Sequence, residues 1–295
     1  MKNTWAIVVM CIALTLTACQ AAPDSKPAAA PVPREEQSAS EQAKAKASEA
    51  SNKSSQTQYD ENDVSLKISF DHGTPQSKRD EHLTLVAYNG EGKRITEFED
   101  VHVDKMHLIV ISRDLSVFQH IHPHLKENGE FMITTRFPKG GDYQLISTFV
   151  PTGMGKGKPA IVNKQWVHVE GEAPTAPPIQ PDKELTKVVD GKKISLSFNK
   201  RKAGETVQLT YRFEDAQTKK PIHDLEFYIG SKGHVVIMSE DSTSYIHTHP
   251  NDEASTGPEL EFDANFPKSG KYKIWAEFQR EGKVFLVSFI VNIPE

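Results

Sequence analysis

The sequence predicts an all-β protein, with two tandem immunoglobulin-like or cupredoxin-like β-sandwich domains following a signal peptide and a disordered tether. Three observations carry this reading. Apolar residues alternate with a period of two along short runs, the chain repeats itself at a spacing of 127 positions, and each repeat holds a Gly-x-Tyr-x-Leu/Ile segment of the kind found at a tyrosine corner.

Taken in order, Trp5 to Leu16 is a continuous apolar run. It is shorter than the ~20 residues a membrane-spanning helix needs and suits a signal-peptide core. The run ends in Leu16-Thr17-Ala18-Cys19, which resembles a bacterial lipobox. That resemblance implies removal of residues 1–18, lipidation of Cys19, and a place on the extracytoplasmic side of the cell membrane with the bilayer as a partner. Residues 19–62 are rich in Ala, Ser, Pro, Gln, Glu and Lys, and cannot bury enough apolar surface to offset their ordering entropy. They are expected to be a tether. A Pro-rich linker over 171–183 divides the remainder into domains at 63–170 and 184–295.

Composition removes several kinds of chemistry. Cys11 and Cys19 are the two cysteines among 295 residues, so the body of the chain holds no disulfide framework, iron–sulfur cluster, thiolate zinc site or Cys-ligated blue copper. A net charge of −5 offers no basic footprint for nucleic acid.

The strands follow from the alternation. Val64, Leu66, Ile68 and Phe70 alternate, as do Leu83, Leu85 and Ala87; in the second copy Ile194, Leu196 and Phe198 do so, then Val207, Leu209, Tyr211 and Phe213. A shift of 127 positions aligns Lys105, His107, Ser112, Asp114, His120, His122 and Pro123 with Lys232, His234, Ser239, Asp241, His247, His249 and Pro250. Two residues further out of step, Phe137, Gly141, Tyr143 and Phe149 match Phe266, Gly270, Tyr272 and Phe278. Three histidines per copy persist while the apolar residues between them change identity.

Those histidines form the candidate site. Residues 107–122 read as a β-hairpin with a polar turn at Arg113–Ser116. Pairing Ser112 with Val117 places Ile109 opposite His120 and His107 opposite His122, all on one face. The same count opposes His234 to His249, with His247 beside them. Three imidazoles converging on a sheet face suit copper or zinc, with one His-rich site expected per repeat. A fourth ligand is available from His124 in the first copy, from Asp252 or Glu253 in the second, or from water. Met106, Met132 or Met154 offers a thioether, and Met238 reads as core. Asp114 and Asp241 read as turn-forming groups. His72, His82, His102, His168 and His223 lack a counterpart in the other copy and read as surface or core residues.

The Met/Gly-His…Val-Ile-x-x-Asp…His-x-His-Pro segment, followed by Phe-Pro-x-x-Gly-x-Tyr-x-Leu/Ile, resembles the YtkA-like family of bacterial secreted and lipid-anchored proteins. The resemblance covers both copies and implies an immunoglobulin-like or cupredoxin-like fold with heavy-metal or copper handling. The first copy departs from it in the Gly/Lys-rich insertion Pro151–Pro159. Two functions are therefore set against each other. One is a lipid-anchored metal-binding protein, with a metal-donor or metal-acceptor protein as its partner. The other is a non-enzymatic adhesion or partner-binding module with structural histidines. Catalysis is not expected: a His-Glu-x-x-His helix, a Gly-x-Ser-x-Gly elbow and a phosphate-binding Gly-rich loop are all missing from the sequence.

Overall fold

Strand alternation in the first copy becomes β1 (Ser65–Phe70), β2 (Asp80–Tyr88), β3 (Phe98–Glu99), β4 (Met106–Ser112), β5 (Phe118–Ile121), β6 (His124–Leu125), β7 (Glu130–Arg136), β8 (Gly141–Pro151) and β9 (Ile161–Val169). The second gives β10 (Thr186–Val189), β11 (Lys192–Phe198), β12 (Thr206–Asp215), β13 (His234–Ser239), β14 (Tyr245–Thr248), β15 (Glu259–Asn265), β16 (Gly270–Arg280) and β17 (Lys283–Ile293). The computed structural model describes residues 63–154, 159–173 and 175–295. The expected signal peptide, Cys19 and the tether lie outside the described residues, as does part of the Gly/Lys-rich insertion.

Each copy is a sandwich of two antiparallel sheets. In the first, β1-β2-β7-β6 faces a sheet in which β8 pairs with both β4 and β9, and β4 continues to β5. In the second, β10-β11-β12-β15 faces β14-β13-β16-β17. Among the described residues no helix is long and apolar enough to cross a membrane.

Inward-facing side chains fill each sandwich. Leu83, Leu85, Phe131, Tyr143 and Phe149 pack the first, and Leu209, Tyr211, Phe262, Tyr272 and Phe278 the second. Burying each such side chain contributes roughly 1.5–3 kcal/mol. The tyrosine corners form as the sequence predicts. Tyr143 donates its hydroxyl to the Lys139 carbonyl and Tyr272 to that of Lys268, both at 2.8 Å.

A third apolar cluster lies between the copies. Ile109, Ile111, Leu115 and Ile146 of the first sandwich pack with Val236, Met238 and Trp275 of the second, and Phe118 stacks on Trp275 with ring centroids 5.0 Å apart. Ile109 and Ile111 are the counterparts of Val236 and Met238, so the copies meet through the same face. This explains why every residue of β4 and β13 is buried. One side of each strand faces its own core and the other faces the neighbouring sandwich. The Pro-rich linker is docked against this seam, with Ile179 on the cluster and its carbonyl accepting from Lys271 Nζ at 3.1 Å.

Candidate metal centre

The hairpin register places the first three imidazoles as counted. Leu108 pairs with Ile121 and Ile109 with His120, and the Ser112 N–H donates to the Val117 carbonyl across the turn. Continuing by one step sets His107 against His122. His107 Nδ1 is 2.9 Å from His120 Nε2, while His122 Nε2 is 3.1 Å from His107 Nδ1 and 3.2 Å from His120 Nε2. Three ring nitrogens thus form a small triangle.

In the second copy Val235 pairs with Thr248 and Val236 with His247, and His249 Nε2 lies 3.1 Å from His234 Nδ1. Both turns are braced alike. Ser112 Oγ donates to Asp114 and Ser239 Oγ to Asp241, each at 2.6 Å, while Lys139 and Lys268 pair with those carboxylates. The lysine and the hydroxyl hold Asp114 at about 2 against the opposing effect of its burial, and both aspartates are turn-forming groups, as read.

One site per repeat is not the arrangement found. The histidine face of each hairpin is the face pressed against the other copy, so the two triads meet. Ligand atoms of His120, His234 and His247 lie within 4.8 Å of one another, and those of His107, His120 and His122 do likewise. His120 belongs to both groups. The ring centroids of His120 and His234 are 5.1 Å apart, and those of His107 and His234 6.0 Å. Six imidazoles form a single nest across the seam.

Two further residues complete the nest. His102 sits in the loop before β4 at a φ of 63°, its ring centroid 4.1 Å from that of His249. Glu277 on β16 pairs in register with His234, and its Oε2 lies 2.9 Å from His120 Nδ1. Neither has a like residue in the other copy: Ile229 matches His102 and Thr148 matches Glu277. A comparison of the copies therefore passes over both, although the acidic residue within the apolar run of β16 is a visible anomaly.

The other suggested ligands lie elsewhere. His124 is exposed on β6, opposite Met132, in the sheet remote from the hairpin, because the chain crosses from one sheet to the other at Pro123. Asp252 is exposed, and Glu253 is engaged by the Ser231 hydroxyl and the Lys232 N–H. Met106 and Met154 are buried in the first core, while Met132 pairs with Thr84 on β2. Met238 is core, as read, but of the seam between the copies.

Burial dominates the electrostatics. It holds His122 down to about 4 and His234 and His249 to about 3, assisted by neighbouring imidazoles, and it lowers His107, His120 and His247 as well. Burial likewise pushes the Glu277 carboxyl up to about 8. At neutral pH these six imidazoles and Glu277 are uncharged, and the tautomers follow from the ends of the nest. A carbonyl only accepts, so His107 Nε2–H donates to Val101 at 3.0 Å and His234 Nε2–H to Tyr228 at 2.9 Å. Both rings then present a bare lone pair at Nδ1, facing the interior. Protonated Glu277 donates to His120 Nδ1, which leaves the His120 proton on Nε2, aimed at the His107 lone pair. A directed chain runs from Glu277 through His120 and His107 to the Val101 carbonyl.

Fold and site together define a tandem β-sandwich protein with a histidine nest set between its halves. The chain belongs to the family described as Domain of unknown function (DUF8832), which matches it twice, over residues 57–165 and 187–295. The family shown by this match is not the YtkA-like one that the motifs resemble. No curated protein matches the chain. Among solved structures it is similar to domains 4 and 5 of the S-layer protein SbsC, at 14% identity and a TM-score of 0.23, over 79% of this chain and 100% of that one. A two-domain fibronectin type III segment of chicken tenascin is similar at 12% identity and a TM-score of 0.23, over 77% and 97%. Likeness at that TM-score carries no argument, and the sandwich architecture rests on the strand pairing itself.

Proposed function

We propose that the chain is a metal-binding protein, lipid-anchored through Cys19 on the extracytoplasmic side of the membrane, whose interdomain histidine nest takes up copper or zinc for storage or delivery. The single observation that carries this reading is the triangle of His107 Nδ1, His120 Nε2 and His122 Nε2, with edges of 2.9, 3.1 and 3.2 Å. A tetrahedral ion bound at ~2.0–2.1 Å sets its nitrogen ligands ~3.3 Å apart, so the imidazoles are spaced close to a first coordination shell. Backbone carbonyls fix His107 and His234 in the tautomer that turns a lone pair inward, as metal-bound histidines require. The donor set is nitrogen with one carboxylate behind it, which suits zinc or copper over calcium or magnesium. The YtkA-like resemblance points to the same chemistry.

The competing reading is a non-enzymatic partner-binding module with structural histidines. It leaves the buried, unpartnered Nε2 of His247 unexplained. Calorimetric titration of the full chain with Cu(I), Cu(II) and Zn(II) separates the two. Metal carriage requires saturable uptake with a Kd below about 1 μM for at least one ion, with release of protons. No uptake of any of the three would leave the structural reading standing.

A further inference from the structure

The two ends of the nest are built differently. Along β8 and β16 the counterparts stand 129 positions apart, so Thr148 occupies the place of Glu277; on the hairpins Tyr245 occupies the place of Phe118, and ahead of β4 Val101 occupies that of Tyr228. Around His120 the space is filled, because Glu277 reaches Nδ1 and Phe118 stacks on Trp275. At the His247 end Thr148 and Val101, smaller than their counterparts, leave a cavity of about 450 Å³, bordered by His102, His107, His247, His249, Thr148 and Tyr245. Ala160, Val162 and Ile246 supply an apolar wall.

Two polar atoms of the lining residues are buried with no partner at full hydrogen-bond distance, His247 Nε2 and the Tyr245 hydroxyl, the latter lying beside the Thr148 side chain. Burying a donor or acceptor unsatisfied costs roughly 1–3 kcal/mol, and the equivalent groups at the other end do not bear that cost. His120 has its partners, and Phe118 has no hydroxyl. A phenol donor, an imidazole lone pair and an apolar wall around one space describe a small ligand with an acceptor at one end and little polar surface elsewhere.

We propose that this cavity binds a small anionic Lewis base, a short monocarboxylate or a pseudohalide, which takes an open coordination position on the ion at the His247 end and accepts a hydrogen bond from the Tyr245 hydroxyl. The proposal rests on the metal-binding reading and adds to it an exchangeable position. An incoming anion displaces water there, and no bond within the protein changes. The His120 end, filled by Glu277 and Trp275, has no such position.

The full chain loaded with Cu(II) and titrated with azide tests this, using the azide-to-copper charge-transfer absorption as readout and acetate as competitor. One saturable azide per nest, displaced by acetate, is expected. Ala160→Phe puts a ring into the cavity and should weaken azide binding more than about tenfold while copper stoichiometry stays unchanged. Tyr245→Phe installs the side chain the first copy carries and should weaken it about fivefold, the worth of one hydrogen bond. Copper uptake without an azide band, or azide binding unaltered in both variants, would overturn the exchangeable site and leave the metal reading intact. A chain that takes up no copper loses both. If Ala160→Phe lowers copper stoichiometry, Tyr245→Phe alone decides, and unaltered azide affinity in it overturns the proposal.

Discussion

Glu277 of the second sandwich hydrogen-bonds His120 of the first, Oε2 to Nδ1 at 2.9 Å, across a seam that buries both side chains. The bond sets the proton inventory of the nest. On the proposed metal-binding reading, an ion at His120 Nε2 would displace the proton held there, and the ring would take one on Nδ1 from Glu277, which would become a carboxylate. Uptake of a cation would thereby be paired with the appearance of an anion one ring away. Glu277→Gln keeps the size and offers an amide N–H to Nδ1, but cannot ionise. Metal affinity should fall about 10–100-fold in this variant with folding intact, measured by competition with a chromogenic chelator. An unchanged affinity would show that Glu277 is not coupled to the ion.

Shared use of His120 makes its loss unlike that of His122. His122 belongs to the first group of ligand atoms, whereas His120 belongs to both. His122→Ala should weaken uptake at the first triad and spare the second. His120→Ala should weaken both. Metal stoichiometry by equilibrium dialysis distinguishes the variants, and identical behaviour would mean that the triads act separately.

The pKa shifts predict a stability maximum for the metal-free protein at about pH 7. Six imidazoles are held below their ordinary value, so the unfolded chain binds more protons than the folded one once the pH drops under ~6.5. Their contribution is complete above that pH and is lost progressively toward pH 3–4, where His122, His234 and His249 titrate in the folded state. Glu277 acts oppositely. Its carboxyl is raised to about 8, so its contribution is complete below 4.5 and is lost as the pH climbs to 8. Six groups outweigh one on the acid side, leaving a shallow alkaline decline that Glu277→Gln should abolish. Urea unfolding at pH 4.5, 6.5 and 8.5 measures both limbs, and a midpoint that rises toward pH 4.5 would contradict the buried, neutral nest.

Trp275 anchors the seam at 3% exposure, stacked on Phe118. Trp275→Ala should cost about 3–5 kcal/mol, felt between the sandwiches rather than within either core. Faster proteolysis of the 171–183 linker, with each core still resistant, is the expected signature.

Tyr143→Phe removes the hydroxyl that satisfies the Lys139 carbonyl. A loss of roughly 1–3 kcal/mol in the unfolding free energy of the first sandwich is expected, and Tyr272→Phe should behave alike in the second. Chemical denaturation of the single variants measures each.

Much of this was legible in the residues. Side-chain period two and a short turn fix a hairpin's register, so Ile109 falls opposite His120 by counting alone. The tyrosine corners follow from the Gly-x-Tyr spacing. What counting within one copy could not reveal was the meeting of the two triads. A signal for it existed in the unbroken apolar runs Leu108–Ile111 and Val235–Met238, since a strand covered on one face alternates and a strand covered on both does not. Glu277 and His102 escaped for a different reason: the internal repeat finds what the copies share, and these residues are where they differ. His124 misled through its nearness in sequence to His122, because Pro123 carries the chain to the opposite sheet.

The covalent join between the halves has a consequence that two separate molecules could not reach. A pair of identical subunits meeting through this face would duplicate every residue about the axis, giving either an acid at both ends or at neither. Fusing the halves releases them from that constraint. One end can carry the acid and the other can stay hollow, so a single chain sets a gripping side and a yielding side around the same cluster of rings.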